Sequence, residues 1–199
     1  MSGTVYIIDD DEAVRDSLAL LVRSVGLESR TFASATEFLS AFDPGMGGCL
    51  VVDIRMPGMS GLDLQQALND RGCRIPLLFI TGHGDVAMAV RAMRAGALDF
   101  IEKPFRDQDL LDRINQALAL SAQQRSALAE AAGIRARVAA LTPREREIMD
   151  RIVAGQANKV IAVELGLSER TVEIHRAKVM SKTQSRSLAE LVTLATRAR

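Results

Sequence analysis

The sequence predicts a doubly wound α/β unit built on a five-stranded parallel sheet, followed by a smaller all-α unit of four helices. Three observations carry this expectation. Short apolar runs alternate with helical patterns along the N-terminal half, the arrangement that builds a parallel sheet covered on both faces. The clearest of these runs end at polar residues, where strands leave a buried sheet. After Lys103 no strand pattern appears and only helical spacing remains.

The elements follow in order. Tyr6-Ile7-Ile8 leads to Asp9-Asp10, and a helical pattern spans 13–25. Arg30-Thr31-Phe32 supplies the second strand and 36–42 the second helix. Leu50-Val51-Val52 ends at Asp53 and is followed by a helix over 61–70. Leu77-Leu78-Phe79-Ile80 ends at Thr81, with a helix over 85–94. Phe100-Ile101 runs through Glu102 to Lys103-Pro104, and helical spacing resumes from 108. Turn residues separate the segments at Gly26, 44–48, Pro57-Gly58, Gly72, 82–84, Gly96 and Pro104.

On the 85–94 helix, Val86, Val90 and Met93 form the expected core stripe, while Met88, Ala92 and Ala95 form a second apolar row. A helix apolar on both sides is buried or faces a partner. The Ala-rich stretch that follows reads as the last helix of the first unit, extending into a helical linker over 121–136. Ile114, Leu118 and Leu128 leave a short coiled-coil seam as the alternative. The second unit opens at Thr142-Pro143-Arg144-Glu145, with Thr as cap, Pro at the first helical position and Glu three residues after the cap. Helices are expected over 143–153, 158–165, 169–182 and 188–196.

With 199 residues, the chain holds one domain of ordinary size and a smaller one, set here at 1–120 and 137–199. The formal net charge of zero conceals an asymmetry. Residues 1–136 carry 13 Lys and Arg against 18 Asp and Glu, and residues 137–199 carry 12 against 7. A basic tail suits a polyanion such as DNA, although charge of this size also occurs on small domains with no such role. The two cysteines, Cys49 and Cys73, form neither a metal-ligand cluster nor a disulfide ladder and fit a reducing cytoplasm. No signal-peptide segment and no run near the ~20 apolar residues of a membrane span appears, so a soluble cytoplasmic protein without a membrane partner is expected.

If the strands are parallel neighbours, their C-terminal ends open on one edge, where open α/β sheets bind ligands. That edge then gathers Asp9, Asp10, Asp53, Thr81 and Lys103. Adjacent acids with a third on a neighbouring strand suit a hard cation such as Mg2+. A carboxylate can attack phosphorus, and an ammonium and a hydroxyl can neutralise the charge of the transferred group. Singly, each residue has a plainer reading: acids after strands serve as turn residues or caps, Thr81 as a cap, Lys103 as a surface charge. Their shared position in one βα repeat favours a common site.

Ile8-Asp9-Asp10-Asp11, Val52-Asp53-Ile54-Arg55-Met56-Pro57-Gly58-Met59-Ser60-Gly61, Ile80-Thr81-Gly82-His83-Gly84 and Phe100-Ile101-Glu102-Lys103-Pro104-Phe105 resemble the receiver domain of bacterial two-component response regulators, over roughly residues 4–120. The resemblance implies a flavodoxin-like fold with Asp53 as phosphoacceptor. It implies Mg2+ ligated by Asp10, Asp53 and the Arg55 backbone carbonyl, with Asp9 supporting the metal through water. Thr81 and Lys103 would meet the phosphoryl oxygens, and Phe100 would be the aromatic that swings inward when Thr81 moves. Asp11 receives no role. The 85–94 helix and the next strand would form the switching and dimer surface.

In the second unit, two helices joined by Gly166-Leu167-Ser168 fit a helix-turn-helix, and a plain helical bundle has the same pattern. At 100° per residue, Val172, Val179 and Thr183 share one stripe. Arg170, Glu173, Ile174, Ala177 and Ser181 face the other way, flanked by Thr171, Arg176, Lys178 and Lys182. Leu141-Thr142-Pro143-Arg144-Glu145, Gly155, Asn158-Lys159, Ile161-Ala162, Leu167-Ser168, Thr171-Val172 and His175-Arg176 look like a LuxR-type DNA-binding domain over 137–199. The whole chain then resembles response regulators of the FixJ/NarL type. The resemblance places Arg170, Thr171, Glu173, Ile174 and Ala177 at the DNA, with Glu173, Ile174 and Ala177 facing bases and Arg176, Lys178 and Lys182 holding phosphates. Glu173 either accepts from cytosine N4 or pairs with Arg170 or Arg176. His175 packs or touches phosphate.

The expected function is that of a transcription regulator that accepts a phosphoryl group on Asp53 from a sensor histidine kinase. It would form a homodimer on phosphorylation and bind promoter DNA, with RNA polymerase as a further partner and no turnover of an external substrate. One alternative is an Mg2+-dependent phosphohydrolase using Asp53 as nucleophile. Such enzymes commonly place an acid two residues later, where this chain has Arg55. A degenerate receiver is the other, and the complete set Asp9, Asp10, Asp53, Thr81 and Lys103 argues against it.

Overall fold

The computed structural model describes residues 3–82 and 86–198. His83, Gly84 and Asp85, read from the sequence as the fourth loop and the start of its helix, lie outside the described residues. The chain divides into two compact units, Met1–Arg125 and Ser126–Arg199.

The first unit alternates strands and helices: β1 (Thr4–Ile8), α1 (Glu12–Ser24), β2 (Glu28–Phe32), α2 (Ala35–Ala41), β3 (Gly48–Asp53), α3 (Gly61–Asp70), β4 (Leu77–Thr81), α4 (Val86–Arg94), β5 (Asp99–Glu102) and α5 (Asp107–Ala139). The strands form one parallel sheet in the order β2-β1-β3-β4-β5. Successive strand side chains point to opposite faces, so each apolar run feeds two cores. Val5, Ile7, Val51, Leu78 and Ile80 meet Leu18 and Val22 of α1 and Leu110 and Ile114 of α5. Tyr6, Ile8, Leu50, Val52 and Phe79 meet Phe38 of α2, Leu64 and Leu68 of α3 and Ala92 of α4. Burial on both faces is why β1, β3 and β4 read as unbroken apolar runs.

The α4 helix reverses the expected stripe. Val86 is 82% exposed and Val90 and Met93 also face outward, whereas Ala92 is buried with Met88 packed against the same core. The small Ala92 side chain shares that core with Leu64 and Leu68 of α3 and Phe79 of β4. Two amides of α3 hold that side inward, Gln65 Nε2 donating to Ala92 O at 3.0 Å and Asn69 Nδ2 to Ala95 O at 2.8 Å.

Residues 121–136 lie within α5, whose early turns carry the sheet-facing Leu110, Ile114, Ala117 and Leu118. Its later Ile134 and Val138 belong to the core of the second unit. There α6 (Pro143–Val153), α7 (Asn158–Leu165), α8 (Glu169–Thr183) and α9 (Leu188–Ala198) pack around Ile148, Ile152, Ile161, Val172, Val179 and Leu191. Thr142 and Glu145 form a reciprocal capping box at the start of α6. Gly166, in the left-handed region at φ 64°, ends α7, and Ser168 caps α8 by accepting from the Thr171 N–H.

Candidate functional site

The order β2-β1-β3 makes the chain change direction across the sheet between β1 and β3, and that crevice at the carboxyl ends of the strands is where this fold binds ligands. Ile8 pairs in register with Val52, Asp53 with Ile80, and Thr81 with Glu102, so the residues that follow the strands converge. Asp9 is buried. Its Oδ1 accepts from the Asp11 N–H at 2.9 Å, its Oδ2 from Lys103 Nζ at 3.0 Å, and its backbone carbonyl from Arg15 Nη1 at 2.8 Å. Asp53 is also buried, its Oδ2 accepting from the Arg55 N–H at 2.6 Å and its Oδ1 from Lys103 Nζ at 3.3 Å. The Lys103 N–H donates to Thr81 O at 2.8 Å, which fixes the lysine beside the buried threonine.

Asp10, next to the buried Asp9, is exposed, and so is Arg55 just past the end of β3. Phe100 is partly buried and packs against the α2–α3–α4 core. Asp11 caps α1, accepting from the Ala13 and Val14 N–H groups, which settles its place as a helix start. The bond from Arg15 to the Asp9 backbone has no motif behind it; only helical spacing from Asp9 hints at it.

Burial pushes the Asp9 carboxyl above its usual range, opposed by its hydrogen bonds from Asp11 and Lys103. Burial pulls the Lys103 ammonium down, but the bonds and charges of Asp9 and Asp53 outweigh it and hold its pKa above the usual value. Among the described residues no three His, Cys, Asp or Glu side chains stand close enough to make a ready metal cluster. The donor set nonetheless fits a hard divalent ion. Three carboxylates against one ammonium leave an excess of two negative charges, all on oxygen, the donor type Mg2+ prefers.

The chain matches the family model of the response regulator receiver domain over residues 5–115. The chain belongs to the response regulators. Residues 139–195 of this response regulator match the luxR family of bacterial regulatory proteins, so it joins a receiver domain to a LuxR-type DNA-binding domain. It is 48% identical over 197 residues to the transcriptional regulatory protein FixJ of Bradyrhizobium diazoefficiens, covering 98% of this chain and 96% of that one. It is 44% identical over 196 residues to the response regulator protein TodT of Pseudomonas putida, covering 98% and 86%. Among solved structures, the response regulator StyR matches with a TM-score of 0.93 at 46% identity, over 99% of this chain and all of that one. Full-length FixJ from B. japonicum matches with a TM-score of 0.60 at 46% identity, over 100% and 98%. Among the described residues of the response regulator, no helix is long and apolar enough to cross a membrane.

On α8 of the response regulator, Val172 and Val179 are buried, while Arg170, Glu173, Ile174, Ala177 and Lys178 are exposed on the other side. Thr171 is half-buried and its hydroxyl meets that of Ser168 at 2.8 Å. Arg176 Nη1 donates to Asn158 Oδ1 at 3.2 Å, tying α8 to the start of α7. Lys182 Nζ donates to Glu145 Oε2 at 2.6 Å and to Ala140 O at 3.3 Å. Glu145 is buried, and the bond from Lys182, with that from the Thr142 N–H, lowers its pKa to about 2. The sequence marks Glu145 as a capping residue; its pairing with Lys182 depends on how α6 and α8 pack.

Proposed function

We propose that this response regulator takes a phosphoryl group on Asp53 from a sensor histidine kinase and answers by changing its hold on promoter DNA. The observation that carries the reading is the single Lys103 ammonium shared by Asp9 and Asp53. An oxygen of the Asp53 carboxylate attacks phosphorus, the bond from phosphorus to the donor's leaving group breaks, and that group departs with the electron pair. Lys103 then turns from Asp53 towards the phosphoryl oxygens, and the Thr81 hydroxyl meets them from β4. Asp10, Asp53 and the Arg55 backbone carbonyl would hold Mg2+, with Asp9 acting through water. Bound there, the ion supplies positive charge against the phosphoryl oxygens.

The acquired charge of about −1.5 to −2 draws Thr81 and Lys103 inward, and Phe100 follows, altering the outer face of β5 and α4. That change favours a homodimer, in which Glu173, Ile174 and Ala177 meet bases while Arg170, Thr171, Arg176 and Lys178 meet the backbone. RNA polymerase is the further partner, the cytoplasm is the site of action, and no external substrate is turned over. Moving such a switch from 1:99 to 99:1 takes ~5.5 kcal/mol of differential stabilisation, so basal DNA binding is expected. The test is intact-protein mass after incubation with Mg2+ and acetyl phosphate. The parent gains one phosphoryl group and Asp53→Asn gains none; a mutant that still gains it overturns the assignment.

A further inference from the structure

Along α8 the exposed residues Arg170, Ile174, Ala177 and Ser181 recur at helical spacing and so keep to one side. The C-terminal turns of α8 run beside the N-terminus of α6. Between them lies an open groove of about 630 Å³ lined by Thr142, Glu145, Ala177, Lys178, Ser181 and Lys182. Since Ala177 and Ser181 belong both to the row and to the groove, the groove continues the exposed face of α8.

Its two lysines stand in different states. Lys182 is engaged by Glu145 and by the Ala140 carbonyl, and Glu145 also accepts from the Thr142 N–H at 2.8 Å. Drawing Lys182 away to a new anion leaves the buried Glu145 carboxylate without its cation, a costly change. Lys178 carries no such obligation: neither its ammonium nor the Ser181 hydroxyl has a side-chain partner among the described residues. An ammonium and a hydroxyl lining one groove with the small Ala177 suit an anion with only acceptor oxygens.

We propose that this groove seats one phosphate of the DNA backbone, held by Lys178 and the Ser181 hydroxyl, and that Lys182 is the counter-ion of Glu145 and holds no phosphate. The inference rests on α8 being the DNA-facing helix. Lys182 is a positioning residue that ties α8 to α6 and keeps the two walls of the groove together.

The experiment measures binding of the full chain, treated with acetyl phosphate and Mg2+, to a short duplex of arbitrary sequence over a range of NaCl. Removing one lysine–phosphate ion pair lowers the slope of log K against log salt by about 0.9. Lys178→Ala lowers it by that amount. Ser181→Ala weakens binding with the slope unchanged, because the hydroxyl is uncharged. Lys182→Ala leaves the slope at the parent value while lowering the thermal unfolding midpoint. Glu145→Gln frees Lys182, and the slope then rises above the parent's, a result that loss of packing alone does not produce. A fall in slope for Lys182→Ala equal to that of Lys178→Ala, or no rise in Glu145→Gln, overturns the inference. A parent that binds no duplex overturns the reading of α8 itself.

Discussion

Lys103 Nζ lies 3.0 Å from Asp9 Oδ2, joining the end of β5 to the end of β1 across 94 positions of sequence. Lys103→Met leaves Asp9 and Asp53 facing each other without their cation. The unfolding free energy at neutral pH falls by about 1–3 kcal/mol in urea titration, less than for a fully buried pair because the lysine side chain is 26% exposed. Any ion that binds the folded acids but not the unfolded chain stabilises by mass action. Added Mg2+ therefore recovers more stability in the mutant than in the parent.

The Glu145 carboxyl titrates at about 2 in the folded chain against 4.5 when unperturbed. An acid with a depressed folded pKa contributes its full stabilisation above the unfolded value and loses it as pH falls through the folded one. The gap in melting temperature between the parent and Glu145→Gln is therefore constant above 4.5 and closes between 4.5 and about 2. A gap that widens on acidification contradicts the Lys182 pairing.

Gly61 opens α3, donating its N–H to Ile54 O at 2.9 Å, and a Cβ there would collide with the Asp53 carbonyl oxygen. Gly61→Ala therefore shifts the backbone that carries the candidate phosphoacceptor. It costs about 1–3 kcal/mol of stability and slows labelling by acetyl phosphate even where the protein stays folded. Unfolding midpoints and the time course of the mass increase check both parts.

The outward face of α4 makes a contrasting pair. Val86→Ser lies within about 0.5 kcal/mol of the parent, as surface changes do. Ala92→Val overpacks a fully buried position and costs about 1–3 kcal/mol. Urea midpoints that rank the two in the reverse order restore the Val86, Val90 and Met93 stripe as core.

Thr81 is buried at the end of β4, the strand paired with the one that ends at Asp53. Thr81→Ala still gains mass from acetyl phosphate, but its affinity for DNA no longer changes on labelling. A parent-like rise in affinity removes Thr81 from the switch.

The parallel sheet was legible because the runs of β1, β3 and β4 are apolar on both faces and stop where the strand meets solvent, as Leu50-Val51-Val52 does before Asp53. The same regularity gathered Asp9, Asp53, Thr81 and Lys103 at one edge, since adjacent parallel strands end together. Helical spacing offered two apolar rows on α4 and no rule to rank them. The Val86, Val90 and Met93 row is the expected core stripe, but Ala92 is the α4 residue that the core buries. The α3 amides that reinforce it, Gln65 and Asn69, sit 27 and 26 positions from the carbonyls they reach. The Glu145–Lys182 pair was hidden for a related reason. Its partners are 37 positions apart and meet only once two helices have packed.

The parallel order β2-β1-β3-β4-β5 also governs when the cleft comes into being. All three of its acids precede residue 54, but the cation that pairs with Asp9 and Asp53 arrives just after the final strand. A chain emerging from the ribosome thus exposes Asp53 long before it owns Lys103, and every truncated product ending short of that lysine carries the proposed acceptor without the ammonium that balances it.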